Sequence, residues 1–163
     1  MSRGPHKPRS PFATSIYSER MGPYRKILLL LDLSDASDQV ALACRQIAAY
    51  SDAEILALHV VDFVPVEPMG ETLMPSVEIE TELMQRARAR LDDMVARLGM
   101  ARTTCRVAAG ITKAEILRVA EREQVDLIVL GSRERHGLAI LVNFTEDTVL
   151  HAAHCDVLAI RLK

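Results

Sequence analysis

Apolar residues along this chain fall into two alternating rhythms. Five short runs, over residues 25–32 (RKILLLLD), 54–62 (EILALHVVD), 103–110 (TTCRVAAG), 125–131 (VDLIVLG) and 156–162 (DVLAIRL), have strand length and are rich in Leu, Ile, Val and Ala. The segments between them repeat every three to four residues, as a helix with one buried face does. Val40, Cys44 and Ile47 mark the first such face; Leu83, Ala87, Leu91, Met94 or Val95, and Leu98 mark the second. Ile116, Val119 and Ala120 mark a third, and residues 144–153 predict a fourth helix. The charged far side of the second helix reads as a solvated face. Ser34 or Asp35, and then Ser76, are the predicted caps of the first two helices, and Gly99 the end of the second. Thr112 and Glu115 have the spacing of a capping box for the third. Strands that alternate with helices predict an α/β fold with a parallel sheet covered on both faces.

Two segments break the pattern. Residues 1–23 carry early prolines and scattered Arg and Lys without periodicity or a secretory apolar core. They are expected to form a disordered basic tail ahead of one domain over residues 24–163, with Met21 as an alternative start. Residues 62–75, with Pro65, Pro68, Gly70 and Pro75, predict a long loop of the kind that binds partners.

Composition narrows the function classes. With 20 Lys and Arg against 22 Asp and Glu, the chain lacks the basic footprint of a nucleic-acid binder. No apolar run suggests membrane insertion. Cys44, Cys105 and Cys155 are widely spaced and fall in apolar patterns, so they read as small buried hydrophobes in a reducing cytoplasm.

The candidate chemistry lies between the fourth strand and the fourth helix, in GSRERHGLAILVNFT, residues 131–145. A strand, a glycine-containing loop and a helix start can aim backbone N–H groups at a phosphate. In open α/β sheets ligands also gather at the carboxyl ends of strands near the point where strand order reverses. Asp32 and Gly131 are both expected there. Asp32 has two readings: a carboxylate that organises the next helix start, or a contact to adenine or ribose.

ILLLLDLS at the first strand, LALHVVD at the second, AEREQVDLIVLGSRERHGLA at the fourth and VLHAAHCDVLAIR at the end together resemble the universal stress protein family. The resemblance runs from Tyr24 to Lys163. It implies a five-stranded parallel sheet of order 3-2-1-4-5 with helices on both faces, like that of the adenine nucleotide alpha hydrolases. It also implies a homodimer joined through the strand over 156–162. Some members bind ATP or AMP through a G-x-x-G motif followed eight or nine residues later by G-S or G-T. Asp32, with Leu33 and Ser34 beside it, matches the adenine-contacting strand end. Val61 matches the contact from the second strand, and Leu130, Gly131, Ser132 and Arg133 match the start of the motif. Glu134 stands at the second glycine, and Asn143 and Phe144 stand where Gly-Ser is expected, just ahead of Thr145. Glu134 would repel a polyphosphate by roughly 1–4 kcal/mol at about 4 Å. Phe144 replaces a hydroxyl with bulk, whereas Asn143 tolerates left-handed backbone.

No nucleophile elbow and no Walker loop is present, so the chain reads as non-catalytic, with slow ATP hydrolysis left open. His151, His154, Cys155 and His136 do not form a metal-ligand pattern. Two readings result. In one, a cytoplasmic homodimeric regulator takes AMP, or ATP with magnesium, in a weakened cleft. In the other, the site is vestigial and the protein is a nucleotide-independent module for a protein partner such as a transporter or another regulator.

Overall fold

The five apolar runs lie side by side. In the computed structural model, which describes residues 24–62, 74–133 and 145–162, they form one parallel sheet of order β3-β2-β1-β4-β5. The strands are β1 (Lys26–Leu30), β2 (Glu54–Asp62), β3 (Thr103–Gly110), β4 (Leu127–Arg133) and β5 (Asp156–Leu162). The helices are α1 (Ser37–Ser51), α2 (Met74–Arg97), α3 (Thr112–Arg122) and α4 (Thr145–Ala152). The tail over 1–23, the loop over 63–73 and most of the candidate phosphate loop, including Glu134, His136, Asn143 and Phe144, lie outside the described residues.

Strand alternation divides the core into two layers. Ile27, Leu29, Ile55, Ala57, Leu127 and Val129 face α1 and α2, where they meet Val40, Cys44, Leu91 and Met94. Leu28, Leu56, Leu58, Ile128 and Leu130 face the opposite way, onto Ile116, Val119 and Ala120 of α3 and Val149 of α4. Because both faces are covered, β1 and β4 read as continuous apolar runs rather than alternating ones. Leu83, predicted for the buried face of α2, remains exposed; Ala87, Leu91, Met94 and Val95 carry that contact.

The helix starts differ from their predicted caps. The residue ahead of α1 is Ala36, with no side-chain cap, so the N-cap position is neither Ser34 nor Asp35. The Ser34 carbonyl instead accepts the Ser37 N–H at 2.9 Å. Ile111 precedes α3, so Thr112 is already helical and the capping box does not form. Glu115 turns to Arg118 one turn further on. The first residue of α2 is Met74, which places Ser76 inside its first turn. Gly99 does end α2, with the left-handed φ of 65° that glycine adopts at low cost.

Cys44 is fully buried, while Cys105 and Cys155 are only partly so. Burial pushes the Cys44 thiol up to about 12 and the Cys105 thiol to about 11. Such thiols are poor nucleophiles at neutral pH.

Candidate functional site

β1 leaves the sheet at Leu30, and the next six residues must turn the chain into α1. Asp32 organises that turn. Its Oδ1 accepts the Ser34 N–H at 3.0 Å, the Ser34 hydroxyl at 2.7 Å and the Ser37 hydroxyl at 2.7 Å. Ser37 is 2% exposed, so its hydroxyl depends on this carboxylate for its partner. Leu33 takes the left-handed φ of 57°, uncommon for a branched, bulky residue. Its side chain packs into the core between the sheet and α1 and α2. Arg90 of α2 donates to the Leu33 carbonyl at 2.8 Å and braces the turn.

Beside this turn lies a cleft of about 370 Å³. It opens where β1, β2 and β4 end, at the point where strand order reverses, as expected for a ligand site in an open α/β sheet. Leu30, Leu31 and Asp32 line it from β1 and its end; Leu58, His59 and Val60 line it from β2; Leu130 and Gly131 line it from β4. Ser37 and Val40 of α1, Thr112 and Ile116 of α3, Thr145 of α4 and Leu162 of β5 complete the described wall. Asp32 is the one carboxylate among these residues, and none of them is Lys or Arg.

The sequence-predicted residues separate into groups. Asp32, Leu130, Gly131 and Thr145 come together in the cleft. Leu33 and Ser34 shape its edge through the turn. The side chain of Val61 packs on the α1 and α2 layer, and its neighbour Val60 lines the cleft beside His59. Ser132 and Arg133 belong to β4, paired with Arg161 and Leu162 of β5, so the strand runs two residues further than its apolar pattern. Glu134, Asn143 and Phe144 lie outside the described residues.

Gly131 also has a packing role. A Cβ there would lie 2.9 Å from Leu162 Cδ1 and 3.1 Å from Val40 Cγ2. Both contacts are tighter than ordinary packing, so a side chain at this position would require Leu162 and Val40 to shift.

The sequence reading missed His59. It lies in LALHVVD among apolar neighbours, and nothing in that segment singled out the histidine as a cleft residue. Its Nδ1 lies 2.8 Å from the Leu31 carbonyl oxygen. A carbonyl only accepts, so Nδ1 carries the proton. Ser37, a helical serine five residues beyond Asp32, was missed for a similar reason. Among the described residues no three His, Cys, Asp or Glu side chains are placed to hold a metal ion. No helix among them is long and apolar enough to cross a membrane.

The sheet order, the two-sided helix cover and the cleft beneath Asp32 define the class, and sequence comparison agrees. The universal stress protein family model matches residues 23–161, and the chain belongs to that family. It is 33% identical over 144 residues to universal stress protein A homolog 2 of Coxiella burnetii, covering 88% of this chain and 99% of the relative. The solved structure of the universal stress protein UspA from Lactobacillus plantarum superposes with a TM-score of 0.67 at 26% identity, covering 86% of this chain and 99% of that one. A universal stress protein crystallised in complex with cAMP superposes with a TM-score of 0.69 at 20% identity, covering 87% of this chain and 100% of that one. At that identity the likeness concerns the fold.

Proposed function

We propose that this protein is a non-catalytic regulator, homodimeric and cytoplasmic, whose strand-end cleft takes an adenine nucleotide and prefers AMP to ATP. The observation that carries the reading is the cleft itself: about 370 Å³ of largely apolar space at the sheet's switch point, with Asp32 at its edge. Its walls suit a flat base better than a polyphosphate, since no Lys or Arg lines them among the described residues. Glu134 and Phe144 weaken the phosphate side further by charge and bulk. The cAMP-bound relative of the same fold adds a precedent for an adenine nucleotide with one phosphate group.

Titration calorimetry of the nucleotide-stripped protein with AMP, cAMP, ADP and ATP, with and without magnesium, tests this. AMP should bind at least as tightly as ATP, and ATP binding tighter by about an order of magnitude would sink the preference.

A vestigial site is favoured by one observation. Leu162 and Val40 crowd Gly131, so packing offers a reason for a glycine there that does not require a phosphate. Glu134→Gly combined with Asn143→Gly and Phe144→Ser separates the readings. Gain of ATP binding would indicate an intact base pocket; a folded variant that ignores ATP would favour a nucleotide-independent module acting on a protein partner.

The dimer is proposed through β5, an outermost strand of the sheet that offers its second edge for pairing. A proline at Leu158 or Ile160 should yield monomers in sedimentation; an unchanged dimer would place the interface elsewhere.

A further inference from the structure

The cleft holds a polar ring that the nucleotide reading has not used. We propose that His59 reads a hydrogen-bond donor on the bound ligand through its Nε2, an N–H or O–H such as the adenine amino group or a ribose hydroxyl. The inference rests on the nucleotide reading and goes further by assigning a specificity residue.

The ring lines the cleft, and Nδ1 is fixed by the Leu31 carbonyl at 2.8 Å. Because that carbonyl can only accept, the neutral ring must present a lone pair at Nε2. The bond to Leu31 is the one hydrogen bond His59 makes among the described residues. No buried side-chain nitrogen or oxygen among those residues lacks a partner, so Nε2 is not sealed inside the protein. Since His59 lines the cleft, we take Nε2 to face it. The Leu31 bond also holds the ring in one orientation, which makes the acceptor preorganised. Leu31 directly precedes Asp32, so the acceptor at His59 and the turn at Asp32 are set by the same few residues of backbone.

His59→Asn is the informative variant, because its amide N–H can replace Nδ1 towards Leu31 while nothing replaces Nε2. The stripped protein and this variant are titrated with AMP, with purine ribonucleoside monophosphate (which lacks the amino group), and with 2′-deoxy- and 3′-deoxy-AMP. AMP should bind His59→Asn about tenfold more weakly than wild type, the size of one lost hydrogen bond. One analogue should lose about tenfold on wild type and nothing further on the variant, which names the donor. Equal AMP affinity for both proteins, or equal analogue penalties on both, would overturn the assignment while leaving nucleotide binding intact. Silence of wild type towards every nucleotide would overturn the nucleotide reading and His59's role with it. If the variant does not fold, nitrogen NMR of labelled wild type decides. The His59 Nε2 resonance should move towards its hydrogen-bonded position on adding AMP; an unmoved resonance in a protein that binds AMP overturns the proposal.

Discussion

The two ends of the sheet are built on opposite plans. At the amino end, bonds are many and shared. Asp126 accepts the backbone N–H groups of Arg25 at 2.8 Å and Lys26 at 3.2 Å, joining β4 to β1. Glu123 meets Lys26 at 2.8 Å, Arg106 at 2.7 Å and Arg122 at 3.3 Å. Tyr24 donates to Asp156 at 3.2 Å. At the carboxyl end, among the described residues, one carboxylate oxygen gathers three bonds, Arg90 and His59 each meet one backbone carbonyl, and one glycine lies against two side chains. Redundant contacts tolerate a single loss, whereas concentrated ones do not. A single change at Asp32 or Gly131 is therefore expected to cost more than one at the amino end, as in elements that bind ligands.

The sharpest test of this contrast is Gly131→Val. Its side chain would press on Leu162 and Val40, and overpacking of this kind costs about 3 kcal/mol. Urea denaturation should show that loss. A cost under about 1 kcal/mol would mean that β5 and α1 yield easily and that the glycine is kept for the ligand.

Asp32→Ala should cost about 2 kcal/mol, because the buried Ser37 hydroxyl loses its acceptor. Nucleotide binding should fall with it. An alanine variant of native stability would show that the turn holds without the carboxylate.

Glu123→Gln should cost only about 1 kcal/mol, since a neutral amide keeps part of the network. Its signature is in the pH dependence. The side-chain bonds from Lys26 and Arg106 hold the Glu123 carboxyl down at about 2. That lies below the value of roughly 4.3 for an unfolded glutamate. The stabilisation is therefore present above about pH 5 and is lost as pH falls towards about 2. Melting temperatures of wild type should decline across that window, and those of Glu123→Gln should decline less. Parallel curves would remove Glu123 from the account.

The smallest effect belongs to an exposed helix pair away from both ends. Arg88 and Asp92, 2.7 Å apart and about half exposed, should contribute about 0.3–0.5 kcal/mol, lost in Asp92→Asn and screened by salt.

Much of this architecture was legible beforehand. The residues of β2, β3 and β5 follow from their apolar runs, because strand length and β-branched composition are local properties. The strand order came from the family resemblance, and the helix faces from a spacing of three to four residues. Boundaries and caps were less legible. Ser34, Asp35, Ser76 and Thr112 all have the right chemistry for caps, yet helix starts also depend on where the preceding strand releases the chain. Asp32 shows the difference: its type marked it as a cap or a ligand contact, and the fold uses it to hold a turn and line a cleft together.

The sequence by itself determined which segments are strands and helices, which residues can be buried, and that Asp32 and Gly131 lie near the carboxyl ends of their strands. Only the tertiary structure decided that Val60 rather than Val61 lines the cleft and that His59 reaches it. It also decided that Gly131 lies against Leu162 and Val40, which lie 31 residues after and 91 residues before it in the chain. Periodicity is written into neighbours along the chain, whereas a cleft is made by side chains from distant segments. Their meeting is fixed by register and packing rather than by local pattern.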